Sequence, residues 1–410
     1  MLTPAERRKT MPSLNSAPSS ERIHIGFFGR RNAGKSSLVN KVTNQELSVV
    51  SDTAGTTTDP VSKAMELLPL GPVVIIDTAG FDDEGELGLL RVKKTSQVLN
   101  RTDIAVLVTD ITLPLGKCEK ELAALFEQKK IPYIIVGNKC DITDTPPDGE
   151  RFPVSALNGI NINELREKIA SLVGVRDQTM HIVGDLVKKD DIAVLVVPID
   201  KAAPRGRLIL PQQMVIRDLL EAGACPLVCR ETELSSVFGS ISKKPSLVIT
   251  DSQVFGLVSR QTPEDIPLTS FSILMARYKG FLEQAVKGAS AIKELKDNDK
   301  ILISEGCTHH RQCGDIGSVK LPASLEKTTG KKLQITLTSG KGFPEEMQEY
   351  ALCIHCGGCM LNEREMLSRM RTSLDNGVPF TNYGTALAFM NGILRRSLTV
   401  FPDILKLVDE

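Results

Sequence analysis

The chain has five histidines and nine cysteines, and three of the former and five of the latter fall into two short runs. Cys353-Ile354-His355-Cys356-Gly357-Gly358-Cys359 places three thiols and an imidazole within seven residues. Cys307-Thr308-His309-His310-Arg311-Gln312-Cys313 adds two thiols and two imidazoles upstream. Thiolate and imidazole donors suit zinc and iron, and the glycine pair lets the backbone wrap closely around a bound centre. Zinc would take four of Cys307, Cys356, Cys359, His309 and His355 in a closed tetrahedron. An iron–sulfur cluster would take cysteines, and the C-x2-C-x2-C spacing of Cys353, Cys356 and Cys359 suits one. Donor chemistry alone leaves both open.

A second chemistry lies near the N-terminus. The apolar run Ile23–Phe28 predicts a strand, Gly29-Arg30-Arg31-Asn32-Ala33-Gly34-Lys35-Ser36 follows, and Ser37 to Lys41 continues as a helix. G-x4-G-K-[ST] between strand and helix predicts a phosphate cradle. Gly29 and Gly34 let successive N–H groups point into one concavity, Lys35 places charge on the β/γ-phosphates, and Ser36 coordinates magnesium. Thr56-Thr57-Thr58 suits a mobile switch, with Thr57 closing on magnesium and the γ-phosphate. The strand run Val73–Ile76 ends in Asp77-Thr78-Ala79-Gly80, with Asp77 in the magnesium shell and the Gly80 N–H on the γ-phosphate.

Further strands are expected at Ile104–Val108 and Tyr133–Gly137, the second ending in Asn138-Lys139-Cys140-Asp141. A carboxylate there accepts bonds from guanine N1–H and N2–H2 that adenine does not offer, which discriminates strongly because the wrong base leaves a buried charge unpaired. Val154-Ser155-Ala156-Leu157 fits the last base-contacting loop, and Asn161–Val173 closes the domain as an amphipathic helix. Cys118 and Cys140 are expected to pack, and Cys225 and Cys229 to be buried apolar thiols.

A chain of 410 residues implies two to three domains. An α/β architecture of three domains is expected: a disordered leader at 1–21, a P-loop GTPase fold at 22–173, a small α/β dimerisation unit at 174–267 and a metal-binding domain at 268–410 for an iron–sulfur cluster or zinc. In the middle unit, strands at 191–198, 226–229 and 247–250 form a three-stranded sheet whose open edges a second copy would cover, predicting a homodimer. In the last domain, Leu268–Tyr278 and Phe281–Leu295 read as helices, and 300–304 and 333–337 as strands. Both thiol runs fall where strands end, the edge at which open α/β sheets bind ligands.

Fifty basic and fifty acidic residues cancel, which argues against a nucleic-acid partner. No run approaches the ~18 apolar residues of a membrane span, so no membrane partner is expected. The first twenty residues lack a secretory apolar core, and an odd number of cysteines reads as free thiols in a reducing, cytoplasmic compartment. The basic Arg7-Arg8-Lys9 leaves organelle targeting as the alternative.

The nucleotide motifs over residues 22–173 resemble those of TrmE-Era-Obg-type small GTPases. Phe81 stands where many relatives carry a water-orienting glutamine, which implies slow intrinsic hydrolysis. Asn32 stands where potassium-activated members hold that ion. Joined to Cys307-x-His309 and His355-Cys356-x-x-Cys359, the whole chain after the leader resembles the HydF family, the maturation GTPases of FeFe-hydrogenase. That resemblance implies GTP, Mg2+, K+ and a 4Fe-4S cluster on Cys307, Cys356 and Cys359, with an exchangeable fourth position for His309 or His355. It implies a scaffold or carrier for the hydrogenase diiron subcluster, with radical S-adenosylmethionine maturases supplying cargo and apo-FeFe-hydrogenase receiving it. The rival is a regulatory GTPase of RNA modification or ribosome assembly with structural zinc. Zero net charge weighs against it.

Overall fold

Near-continuous apolar runs of the sequence become strands buried on both faces, the pattern of parallel sheets covered by helices. The computed structural model describes residues 18–45, 61–78, 80, 95–143, 149–173, 181–199, 208–306, 316–340 and 342–408. The leader expected at 1–21 lies mostly outside them. Chain contacts divide the protein into two units, Met1–Gln178 and Thr179–Glu410.

In the first unit, β1 (Ile23–Gly29), β2 (Val61–Leu67), β3 (Gly71–Asp77), β4 (Ile104–Asp110), β5 (Tyr133–Asn138) and β6 (Phe152–Pro153) form one sheet, ordered β2-β3-β1-β4-β5-β6. β2 runs antiparallel to β3, and the other pairings are parallel. Strand alternation sends Ile25 and Phe27 to one core, with Leu38 and Leu165 of the helices Lys35–Thr43 and Ile162–Leu172. Phe28 and Ile76 face the other core with Phe126. Gly29, Asp77 and Asn138 close β1, β3 and β5 at one edge of the sheet.

The second unit holds two four-stranded parallel sheets. β7 (Ile192–Val196), β8 (Cys225–Cys229), β9 (Leu247–Thr250) and β10 (Leu268–Ser270) are ordered β10-β9-β7-β8. β11 (Lys300–Glu305), β12 (Gln334–Ser339), β13 (Leu352–His355) and β14 (Phe380–Asn382) are ordered β12-β11-β13-β14.

The structure corrects two expectations here. Leu268–Ser270 is a fourth strand rather than the start of a helix, because its buried residues pair with Val248–Thr250. Ser270 then caps the helix Phe271–Tyr278, its side chain accepting from the Ile273 N–H. Cys225 is exposed rather than buried, because β8 is an edge strand, whereas Cys229 is buried as expected. One hydrophobic core runs across the expected boundary at 267/268, joining Val194, Leu195 and Val248 to Phe271, Cys353 and Phe380.

Among the described residues, no helix is long and apolar enough to cross a membrane. The helix Leu282–Ser290 lies so close to β14 that a Cβ on Gly288 would stand 2.1 Å from the Phe380 carbonyl oxygen. Gly288→Ala must push backbone apart and is expected to cost about 1–3 kcal/mol of stability, read from a denaturation midpoint. An unchanged midpoint would refute the contact.

Candidate nucleotide and thiol sites

The phosphate cradle forms where β1 meets its helix. Gly34 takes a left-handed backbone (φ 79°), and a Cβ there would stand 2.2 Å from the Asn138 side chain, so glycine alone fits. Asn138 ties two motifs together: its amide donates to Ala33 O at 2.9 Å and accepts from the Ala156 N–H at 3.0 Å. It braces the cradle against the Ser155-Ala156 loop, where the Ser155 hydroxyl accepts from the Asn158 N–H at 3.0 Å. Lys35 is buried and ion-paired with Asp77, and Ser36 Oγ donates to the same carboxylate at 3.3 Å. The groups expected to hold phosphate and magnesium therefore neutralise one another.

The remaining nucleotide residues surround this pair. A Cβ on Gly80 would stand 3.1 Å from the Arg31 backbone, tighter than ordinary van der Waals contact. Exposed Asn32 has φ 63°, a conformation asparagine tolerates better than most side chains. Ser37 lies in the first turn of the helix behind the cradle. Asp141 is exposed, and Lys139 donates to Asp110 Oδ2 at 2.6 Å. Asp110 ends β4, and its position at a strand end was the available sign of its role. Thr57 and Phe81 lie outside the described residues.

The thiol loop grows out of the second parallel sheet. β11 and β13 are neighbours with Ser304 opposite His355, and the Cys356 N–H donates to Ser304 O at 2.9 Å. Just past this pairing, Cys356 Sγ accepts from the Gly306 N–H at 3.1 Å and the Gly358 N–H at 3.4 Å. Gly358 has φ 63°, and a Cβ there would collide with Met366 Sδ at 2.3 Å. Burial pushes the Cys356 thiol up to about 11 despite those N–H donors. Cys359 is also raised by burial, with the buried Lys279 opposing the rise. Two N–H groups aimed at one sulfur suit an anionic thiolate, which a bound metal centre would favour. Cys307 follows Gly306 directly in the chain; it and His309 lie outside the described residues. Among the described residues, no three histidine, cysteine or carboxylate side chains are grouped to hold a metal ion.

His355 has partners at both ring nitrogens. It is fully buried, its Nδ1 lies 2.8 Å from Cys356 O, and its Nε2 lies 3.1 Å from Arg369 Nη1. Arginine only donates, so Nε2 accepts and Nδ1–H donates to the Cys356 carbonyl. Burial and the Arg369 charge hold the ring neutral, with its pKa down to about 3. With both nitrogens engaged, His355 braces the Cys356 backbone in this structure. Arg369 is itself held by Gly340 O at 2.6 Å and Glu365 Oε1 at 2.7 Å, and stacks over Phe343. Cys353 sits in the core beside Phe380 and Met366, one strand position out of phase with the loop thiols, and burial pushes it up to about 12. No spacing in the sequence marks Lys279 or Arg369 as parts of this site.

Three family models match consecutive stretches. Residues 24–139 match the model described as a 50S ribosome-binding GTPase. Residues 182–280 match the hydrogen maturase F dimerization domain, and residues 283–400 the hydrogen maturase F tetramerization domain. Among curated relatives, GTPase Der of Wolinella succinogenes is 37% identical over 174 residues, covering 38% of this chain and 36% of that protein. The tRNA modification GTPase MnmE of Bordetella petrii is 29% identical over 157 residues, covering 38% of this chain and 34% of that protein. The chain thus spans about a third of the length of these relatives. The crystal structure of Aquifex aeolicus Era bound to GDP and AlF4− aligns with a TM-score of 0.32 and 18% identity, over 50% of this chain and 93% of that one. The two hydrogen maturase F models together span more than half of the chain and follow the GTPase model in the order of the motifs, so this chain is a member of the hydrogen maturase F family.

Proposed function

We propose that the protein is a cytoplasmic, GTP-hydrolysing carrier that binds a 4Fe-4S cluster and assembles or delivers the diiron subcluster of FeFe-hydrogenase. The observation that carries this reading is the Cys356 sulfur held by the Gly306 and Gly358 N–H groups, one residue short of Cys307. Cys307, Cys356 and Cys359 would hold the cluster, which when bound supplies iron with one exchangeable position. His309 is the histidine left to compete for that position. His355 and Arg369 keep the loop backbone in place. Radical S-adenosylmethionine maturases would supply the cargo, and apo-FeFe-hydrogenase would receive it.

In the GTPase domain, Lys35 would leave Asp77 for the β/γ-phosphates, freeing the carboxylate for a Mg2+ shell shared with Ser36 and Thr57. The Gly80 N–H would meet the γ-phosphate, and Asp141 would read guanine. Asn32 would hold K+ beside the phosphates, placing positive charge where an arginine finger would otherwise sit. Exposed Val228 on edge strand β8 and Leu220 on the helix before it support a homodimer seam there.

Each part has its own test. Potassium should raise the GTPase rate about tenfold or more over sodium, and Asn32→Ala should erase the difference; equal rates in the two salts for the unmodified protein would exclude the ion role. Anaerobic reconstitution with iron and sulfide should give a brown protein that bleaches in air. Cys356→Ser should lose the colour and the bound iron while GTP turnover stays within about twofold. A colourless protein that retains zinc and binds RNA would establish the rival reading. The double variant Val228→Glu, Leu220→Glu should run as a monomer in light scattering at micromolar concentration; an unchanged mass would move the seam elsewhere.

A further inference from the structure

Lys279 is a buried cation that grips the thiol loop from the neighbouring module. It follows the helix Phe271–Tyr278, within the stretch matched by the dimerization model, whereas the loop lies in the stretch matched by the tetramerization model. Its Nζ donates to Gly358 O at 2.6 Å and to Leu361 O, and only 1% of the residue is exposed. Lysine is almost never buried to this degree, because removing an ammonium from water costs several kcal/mol. The two carbonyls it holds flank Cys359 in the turn that begins at Cys356. Gly358 adopts a left-handed backbone with no room for a side chain, so the turn presents its carbonyl to Lys279 from a fixed place. A positive charge in so dry a position acts strongly on any anion bound beside it.

We propose that Lys279 is the positioning and charge-balancing residue of the iron–sulfur site: its ammonium pins the Cys356–Cys359 turn and stabilises the electron that a bound cluster accepts. This rests on the cluster reading above. Loss of the charge makes the one-electron reduction of the bound cluster harder, with dithionite as the electron donor, and leaves the protein ligands unchanged. Hydrogen bonding and charge are separable. Lys279→Gln keeps an N–H donor for the carbonyls and removes the charge; Lys279→Arg keeps both.

The test is a potentiometric titration of the anaerobically reconstituted full chain, followed by the electron paramagnetic resonance signal of the reduced cluster. Iron and sulfide content and GTP turnover are measured alongside. Lys279→Gln is expected to show about a tenfold smaller reduced-to-oxidised ratio at a fixed potential, a midpoint about 59 mV more negative for a one-electron couple. Lys279→Arg should stay near the unmodified protein. Loss of the cluster from Lys279→Gln, with retention in Lys279→Arg, also supports the proposal. A Lys279→Gln protein with full cluster and an unshifted midpoint overturns it. So does loss of the cluster from both variants, which would assign Lys279 to packing alone. If the unmodified protein takes up no cluster, the proposed function itself fails and this inference falls with it; the unmodified control therefore tells the two failures apart.

Discussion

The second unit depends on where two parallel strands stop. β11 and β13 are paired with Ser304 opposite His355, and that register brings the Gly306 N–H onto the Cys356 sulfur. A slip of one residue would exchange the faces of the whole strand, sending Cys356 into the core and Cys353 out of it. The register is held by what packs on each face: Leu352 and Ile354 against Ile301 and Ile303, and Cys353 against Met366 and Phe380. Around the loop, the buried side chains His355, Arg369 and Lys279 all have polar partners. His355 donates to the Cys356 carbonyl and accepts from Arg369, and Lys279 caps two carbonyls of the turn. Such networks stiffen a site because an unanswered buried group is costly.

The nucleotide unit follows the same rule with opposite intent. Lys35 and Asp77 satisfy each other in a buried pair, and phosphate and magnesium would have to part them. A partnered arrangement that a ligand can replace with an equally partnered one leaves neither charge stranded. Asn138 gives the cradle a rigid back wall, bonding Ala33, 105 residues before it, and Ala156, 18 residues after it.

Much of this was legible in advance where the chemistry is local. The phosphate cradle is eight consecutive residues between a strand and a helix, and its strand positions stand where the apolar runs placed them. Leu268–Ser270 was misread because three residues are too few to show a period of two, and the apolar helix behind them swallowed the signal. Cys225 and Cys229 looked alike as a pair. Only the strand order, which leaves β8 at an edge, exposes one of them.

By its own order of residues, the chain determined the GTPase motifs and their succession, and it marked Cys307, Cys356 and Cys359 as thiols at strand ends. Spacing suffices for these because each motif acts through backbone geometry within a single turn or loop. Tertiary structure decided the rest. Alternation along β13 removed Cys353 from the loop, and an arginine fourteen residues away took the second nitrogen of His355. Lys279, 79 residues before Gly358, entered the site from the end of the helix Phe271–Tyr278. Burial and partnership depend on what the fold brings alongside a residue, and no local pattern records that.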